Sequence, residues 1–222
     1  MEPSPPPSSE IELLERAERL AGRSMAWVAA RAGAAVPEDL RRAKGWIGQV
    51  IEAVLGATAG NRAEPDFPHL HVELKTLPVN DDGRPRESTY VCTAPLDGSI
   101  EPDWERSWVR GKLSRVLWLP IVGTGAPADR VVGSPLLWSP SDDEDALLRA
   151  DWEELTGLIA AGELWQIDAR RGRALQIRPK AASRSELVWT QDADGRWVRE
   201  NPRGFYLRPS FTGELLRRHF LL

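Results

Sequence analysis

Asp66-Phe67-Pro68-His69-Leu70-His71-Val72-Glu73-Leu74-Lys75-Thr76-Leu77-Pro78 is where the hydrophobic period of this 222-residue chain changes from helical to alternating. From His71 to Leu77, Val72, Leu74 and Thr76 fall on one side and His71, Glu73, Lys75 and Leu77 on the other, the pattern of a half-buried strand. Asp66 stands at the start of this extended stretch and Glu73 on its exposed face, so both can converge on one divalent cation. The strand's period of two puts Lys75 on the same face as Glu73, about 7 Å along. Two carboxylates and a backbone carbonyl, that of Leu74, supply hard oxygen ligands for Mg²⁺, which keeps the rest of its octahedron for water and phosphate. Such an ion lowers the pKa of a bound water and steadies charge on a scissile phosphate, while the neighbouring ammonium orients the nucleophile. The competing reading is a solvated strand face, because this spacing of Asp, Glu and Lys also arises by chance.

Ahead of the strand the chain reads as helical. Ser9 with Glu12 three residues on is a capping-box signature, and Leu13, Ala17 and Leu20 follow at helical spacing until Gly22. Further helices are expected over Ser24 to Arg31 and from about Lys44 to Leu55, where Trp46, Val50, Ile51, Val54 and Leu55 give a broad apolar face. The opening residues 1–8 carry four prolines and are expected to be a disordered tail before a domain spanning 9–222. After the strand, Asn80, Asp81, Asp82, Gly83 and Pro85 form a turn leading to a second extended stretch, Thr89 to Ala94, and the two are expected to pair as a hairpin. Leu113 to Val122 reads as a strand buried on both faces. Asp142 to Ala161 reads as a long helix with acids at its positive dipole end. Beyond it short strands are expected at Trp165 to Ala169, Ala174 to Arg178 and Arg203 to Arg208, with turns at Arg171-Gly172 and Asp194-Gly195 and a last helix from Ser210 to His219.

Composition narrows the class. A hydrophobic share of 41% and a charged share of 28% are those of a globular protein, which excludes whole-chain disorder, collagen and coiled coil. The single cysteine, Cys92, cannot close an intramolecular disulfide, and no basic-then-apolar leader is visible, so a reducing cytoplasm is the expected setting. Apolar runs such as Val116 to Val122 are far shorter than the roughly 20 residues of a membrane span. Net charge is -4, so total charge does not point to nucleic acid. Its distribution says more: seven acids lie between Asp142 and Glu154, against a later basic cluster of Arg170, Arg171, Arg173, Arg178, Lys180 and Arg184 and a weaker one of Arg106, Arg110, Lys112 and Arg115. Either basic run taken alone is most simply a solvated face. Trp27, Trp46, Trp118, Trp138 and Trp152 sit in apolar surroundings and read as core.

The Asp66/Glu73/Lys75 spacing is the PD-(D/E)xK arrangement of metal-dependent nucleases, and its surroundings resemble the MutH family, the strand-nicking endonucleases of methyl-directed mismatch repair. The likeness is carried by Lys44-Gly45-Trp46-Ile47-Gly48 through Glu52 and Leu55-Gly56-Ala57, by Ala94-Pro95-Leu96 and by Arg115-Val116-Leu117-Trp118. It continues through Gly133-Ser134-Pro135-Leu136-Leu137-Trp138, Asp151-Trp152-Glu153-Glu154-Leu155, Leu175-Gln176-Ile177-Arg178-Pro179-Lys180 and Pro202-Arg203-Gly204-Phe205-Tyr206-Leu207. The resemblance implies an α/β restriction-endonuclease-like fold, a central mixed sheet flanked by helices, with two lobes around a DNA-binding cleft: a catalytic lobe over about 9–120 and a recognition lobe over about 121–222. It implies that Asp66 and Glu73 hold Mg²⁺, that Lys75 positions the attacking water, and that Glu52 and Lys112 are a further active-site acid and lysine. Without it, Glu52 is the polar edge of an amphipathic helix and Lys112 a surface lysine. Lys44 would reach the DNA backbone. Arg178, Pro179 and Lys180 match the loop that enters the major groove, where an arginine bonds guanine O6 and N7. Tyr206 matches the aromatic that senses the adenine N6 position. Tyr90 stands where the family has Phe, and residues 183–201 follow no family pattern. The function so implied is a Mg²⁺-dependent, monomeric, cytoplasmic bacterial endonuclease that nicks the unmethylated strand at hemimethylated GATC and is activated by MutL, with MutS upstream. The alternatives are a GATC-specific restriction endonuclease cutting both strands and a DNA-binding module without catalysis.

Overall fold

A computed structural model describes residues 4–40, 43, 45–60, 62, 64–180 and 187–220. In chain order the regular elements are α1 (Glu10–Glu18), α2 (Met25–Arg31), α3 (Trp46–Leu55), β1 (Glu73–Val79), β2 (Thr89–Ala94), α4 (Trp108–Leu113), β3 (Val116–Val122), β4 (Val131–Val132), β5 (Leu136–Trp138), α5 (Asp142–Ala160), β6 (Leu175–Pro179), β7 (Val188–Gln191), β8 (Trp197–Glu200), β9 (Arg203–Leu207) and α6 (Pro209–Phe220). They fall into two compact units, each discontinuous in sequence. The chain up to Arg86, Ser114–Ser139 and the chain from Leu216 form the first; Glu87–Leu113 and Pro140–Leu215 form the second.

In the first unit, Ser9 and Ser24 cap α1 and α2 by accepting the N–H groups of Glu12 and Trp27. The reciprocal half of the expected capping box is displaced by one residue, since the Glu12 carboxylate takes the N–H and hydroxyl of Ser8 instead. Two left-handed glycines, Gly45 (φ 81°) and Gly56 (φ 84°), bound α3. The apolar faces of the three helices meet Leu117, Leu119 and Ile121 of β3 in one core. The proline-rich opening does not form a free tail from Ser4 onward. The Ser4 N–H donates to Ala53 O at 2.9 Å, Arg16 donates to Pro5 O at 2.6 Å, and His69 Nε2 stands 2.6 Å from Pro7 O. Proline lacks an N–H but keeps its carbonyl, and Arg16 and His69 satisfy two of those carbonyls from outside the segment.

The sheet of this unit is mixed. β3 is central: β1 runs parallel to it in register from Glu73↔Val116 to Val79↔Val122, and β4 and β5 pair with it antiparallel. The expected hairpin between β1 and Thr89 to Ala94 is not formed. The turn over Asn80–Arg84 closes on itself, with Gly83 N–H on Asn80 O and Asn80 N–H on Arg84 O, both at 2.9 Å, and β2 joins the other unit's sheet. β1 is also not polar on one face, because Glu73, Leu77 and Val79 are as buried as Leu74. A strand covered on both faces suits a parallel neighbour reached by a long connection rather than a hairpin.

The second unit has a three-stranded antiparallel sheet in the order β2-β9-β6 and a β7-β8 hairpin turning at Gly195 (φ 75°). A full capping box starts α5: Ser141 Oγ accepts the Glu144 N–H, and the Glu144 carboxylate accepts the Ser141 N–H. Residues Trp165 to Ala169, expected as a strand, instead begin within a 3-10 turn over Leu164–Gln166 and continue without regular structure; Leu164 and Ile167 are buried three apart while Trp165 is 78% exposed, a period of three rather than two. Trp46, Trp118, Trp138 and Trp152 are core residues as expected. Trp27 is not. It is 37% exposed, with the Arg23 and Arg31 guanidinium groups 5.0 and 5.2 Å from its ring, beside a cavity of about 470 Å³. No helix among the described residues is long and apolar enough to cross a membrane.

Candidate active site

Asp66 and Glu73 belong to one closed loop of the first unit. Phe67 and Val72 exchange backbone hydrogen bonds of 2.9 and 3.3 Å across a 3-10 turn, Pro68–Leu70. His71 closes that turn at φ 56°, a left-handed conformation unusual for a residue with a Cβ. The loop folds Asp66 back so that its Oδ2 accepts the Leu74 N–H at 2.8 Å, while its main-chain carbonyl takes the N–H of Thr58 at 3.0 Å. Glu73 opens β1 with its N–H on Arg115 O at 2.9 Å, and its side chain is almost wholly buried. The expected face-sharing of Glu73 and Lys75 is present: Lys75 Nζ donates to Glu73 Oε1 at 2.7 Å, with the two side chains only 12% and 6% exposed.

Glu52 comes to the same place from α3. Burial pushes its carboxyl pKa up, the negative charges of Asp66 and Glu73 push it further the same way, and Lys75 opposes them. Three carboxylates and one ammonium thus share a partly desolvated pocket, and the acids outnumber the base. That donor set, all carboxylate oxygen, fits a hard divalent cation. Among the described residues no three His, Cys, Asp or Glu side chains are already gathered as a coordination shell. Lys112 lies in the last turn of α4 in the second unit, its Nζ 5.6 Å from the centre of the Trp108 ring. Lys44 lies outside the described residues.

Arg178, Pro179, Lys180, Tyr206 and Tyr90 all belong to the second unit, and the β2-β9-β6 register explains why all but Pro179, which is opposite Arg203 and alternates to the other face, meet. Tyr90 is opposite Tyr206, Tyr206 opposite Gln176, and Arg178 opposite Gly204. Cross-strand partners point to the same side of a sheet, so these residues share one face, while Phe205, Leu207, Leu175 and Ile177 fill the core behind. The Tyr90 and Tyr206 rings meet edge to face, centroids 5.3 Å apart. Lys180 Nζ lies 5.3 Å over the Tyr90 ring and donates to Thr93 Oγ1 at 3.1 Å. The Tyr90 hydroxyl lies 3.0 Å from that same Thr93 Oγ1. Burial, then the neighbouring Tyr90, raises the Tyr206 pKa, so its phenol stays protonated. Gly204 is required between the rings: a Cβ there would stand 2.8 Å from Tyr90 Cε2 and 3.1 Å from Cys92 O. A glycine inside a strand is the sequence signal that marks such a close approach.

Sequence reasoning gave Asp151 no role of its own, naming it only in an acidic run and in one of the stretches that carry the family resemblance. Its carboxylate is buried and accepts the backbone N–H groups of Arg173, Ala174 and Leu175 at 2.6 to 2.9 Å, anchoring the turn that launches β6. Gly172 in that turn has φ 74°, and a Cβ would collide with Leu175 O. Of the expected basic run Arg106, Arg110, Lys112 and Arg115, the three arginines form ion pairs, Arg106 with Glu101 and Asp103, Arg110 with Glu105 and Asp145, and Arg115 with Glu10, while the Lys112 ammonium lies over the Trp108 ring.

Residues 55–151, which include the Asp66/Glu73/Lys75 loop, match the family model described as DNA mismatch repair enzyme MutH. Over 218 residues the chain is 51% identical to the DNA mismatch repair protein MutH of Vibrio cholerae serotype O1, covering 97% of this chain and 99% of that one. It is 52% identical over 221 residues to that of Klebsiella pneumoniae (99% and 96% covered) and 50% identical over 220 residues to that of Serratia proteamaculans (98% and 96%). With a mixed sheet flanked by helices and the acidic loop at the head of β1, the architecture is restriction-endonuclease-like. This chain belongs to the MutH family of DNA mismatch repair enzymes.

Proposed function

We propose that this endonuclease nicks the unmethylated strand of hemimethylated GATC sites with Mg²⁺ as its ion and MutL as its activator. The observation that carries the reading is the gathering of Glu52, Asp66 and Glu73 in one partly buried pocket, with Lys75 Nζ 2.7 Å from Glu73 Oε1. Asp66, Glu73 and the Leu74 carbonyl would hold the ion, with Glu52 as a third carboxylate nearby. Bound there, it would supply Lewis-acid stabilisation of charge on the scissile phosphate and ease deprotonation of water. Lys75 orients the attacking water and offsets developing charge. Lys112 is assigned to phosphate, and Lys44 to the DNA backbone, on the family resemblance.

Base readout is assigned to the β2-β9-β6 face. Arg178 supplies the two parallel donors that guanine O6 and N7 accept, with Pro179 and Lys180 completing the groove-entering segment. Tyr206, held edge-on by Tyr90, borders the adenine N6 position, where a methyl group removes a donor and crowds the ring.

The test is single-turnover cleavage of unmethylated, hemimethylated and fully methylated GATC duplexes, with and without MutL. The expected result is nicking of unmethylated strands only, requiring Mg²⁺ and accelerated by MutL, with fully methylated duplex resistant. Concerted cutting of both strands would support the restriction-enzyme reading instead, and Mg²⁺-independent binding without cleavage would support a non-catalytic module.

A further inference from the structure

Ser88, just before β2, is bonded to two side chains of β6. Gln176 Nε2 donates to its Oγ at 2.7 Å and Arg178 Nη1 donates to the same atom at 3.0 Å. A hydroxyl oxygen has two acceptor positions, so both are taken by these donors. Gln176 is buried opposite Tyr206, and Arg178 follows two residues later on the same face of the strand. One serine therefore ties the arginine to the cross-strand neighbour of the tyrosine.

We propose that Ser88 is a positioning residue for base readout, which clamps the Arg178 guanidinium through Nη1 and so leaves its Nε–Nη2 edge as the fork that meets guanine. The inference rests on the assignment of Arg178 to guanine. Its physical content is preorganisation. A long arginine side chain loses rotamer freedom on binding, and that loss is smaller where the side chain is already held before DNA arrives. The clamp also selects an edge. Of the two edges of the guanidinium that offer parallel N–H pairs, the one containing Nη1 is engaged by Ser88, and the side-on pair of Nε and Nη2 matches the two acceptors of guanine. Gln176 contributes by holding the serine from the core side, so the hydroxyl cannot rotate away with the arginine.

The experiment compares single-turnover cleavage of a GATC duplex with that of a duplex in which the guanine is replaced by adenine, at one salt concentration. The ratio of the two rates measures discrimination at that base. The proteins are wild type, Ser88→Ala, Ser88→Thr, Arg178→Ala and the Ser88→Ala/Arg178→Ala double variant, each with its melting curve. Ser88→Ala is expected to lower the ratio about fivefold, the scale of ordering one long side chain. Ser88→Thr, which keeps the hydroxyl, restores it, and Ser88→Ala adds nothing once Arg178 is gone. If Arg178→Ala lowers the ratio and Ser88→Ala does not, the clamp is wrong and the guanine assignment stands. If Arg178→Ala leaves the ratio unchanged, the guanine assignment fails and the clamp with it. Equal slowing on both duplexes by Ser88→Ala, failure of Ser88→Thr to restore the ratio, or additive losses in the double variant would each mean that Ser88 acts other than by orienting Arg178.

Discussion

Replacing Lys75 by Met tests the charge balance of the acidic pocket directly. Methionine keeps an unbranched apolar stem of similar reach, so the change removes the ammonium with little loss of packing. Lys75 Nζ lies 2.7 Å from Glu73 Oε1, and with side-chain exposures of 12% and 6% the pair is poorly screened by solvent. Removing one partner of a buried pair costs about 3–5 kcal/mol, because the other charge is left behind. Here Glu52 and Asp66 act on the same pocket, so the orphaned charge is not that of Glu73 alone. Proton uptake by one carboxyl relieves part of the repulsion, which points to the low end, about 3 kcal/mol. For a chain of this size that corresponds to a fall in Tm of about 6–12 °C. The assay is thermal melting at pH 7.5 in EDTA and again with Ca²⁺, a hard divalent ion that takes the same oxygen ligands. The variant is expected to melt lower in EDTA and to gain at least as much as wild type from Ca²⁺, since cation at about 100 times its Kd contributes about 2.7 kcal/mol. Its single-turnover nicking rate with Mg²⁺ should fall by about 100-fold or more, with duplex affinity little changed. A variant that melted within about 2 °C of wild type in EDTA, under 1 kcal/mol, would refute the picture of a pocket held together by one ammonium.

Asp66→Ala and Glu73→Ala should each abolish Mg²⁺-dependent nicking while leaving duplex binding in Ca²⁺ largely intact; a variant retaining a tenth or more of the wild-type rate would remove that residue from the metal site. Glu12 should make stability depend on acid. Hydrogen bonds from the Ser8 hydroxyl and N–H, then from Arg16, lower its carboxyl from an ordinary 4.5 to about 2. The depressed pKa means that its contribution is fully present above pH 4.5 and declines as pH falls toward about 2. The Tm deficit of Glu12→Gln at pH 7 should therefore shrink over that window, and a deficit unchanged down to pH 2.5 would contradict it.

Local features were legible in the chain. Ser9, Ser24 and the acids after Ser141 announced helix starts, because capping bonds span three residues. The same holds for Glu73 and Lys75, whose meeting follows from the two-residue period of any strand. The turn at Asn80 to Pro85 was also real, but the inference that it joins β1 to β2 failed. Whether a strand after a turn pairs with its predecessor depends on what else covers that predecessor, and here β3, forty residues on, occupies the edge of β1. A single boundary between lobes near residue 120 likewise gives way to four crossings between units, since β3 completes the sheet of the first unit while α4 and α5 on either side belong to the second. Trp27 shows the limit of reading burial from composition, because an apolar neighbourhood along a helix does not say which face another element will cover.

By itself the amino-acid sequence determined the helix caps, the acidic loop with its lysine, the motif that marks a nuclease and the family to which the chain belongs. Those are properties of residues within a few positions of one another, or of residue identities compared in order. Only the tertiary structure decided that β1 lies parallel to β3, that Glu52 joins Asp66 and Glu73, that Gly204 makes room for Tyr90 beside Tyr206, and that Ser88 holds Arg178 across ninety residues of chain. Each of these depends on strand register or helix packing between segments far apart in sequence, and register is set by the burial of whole faces rather than by any residue's own preference.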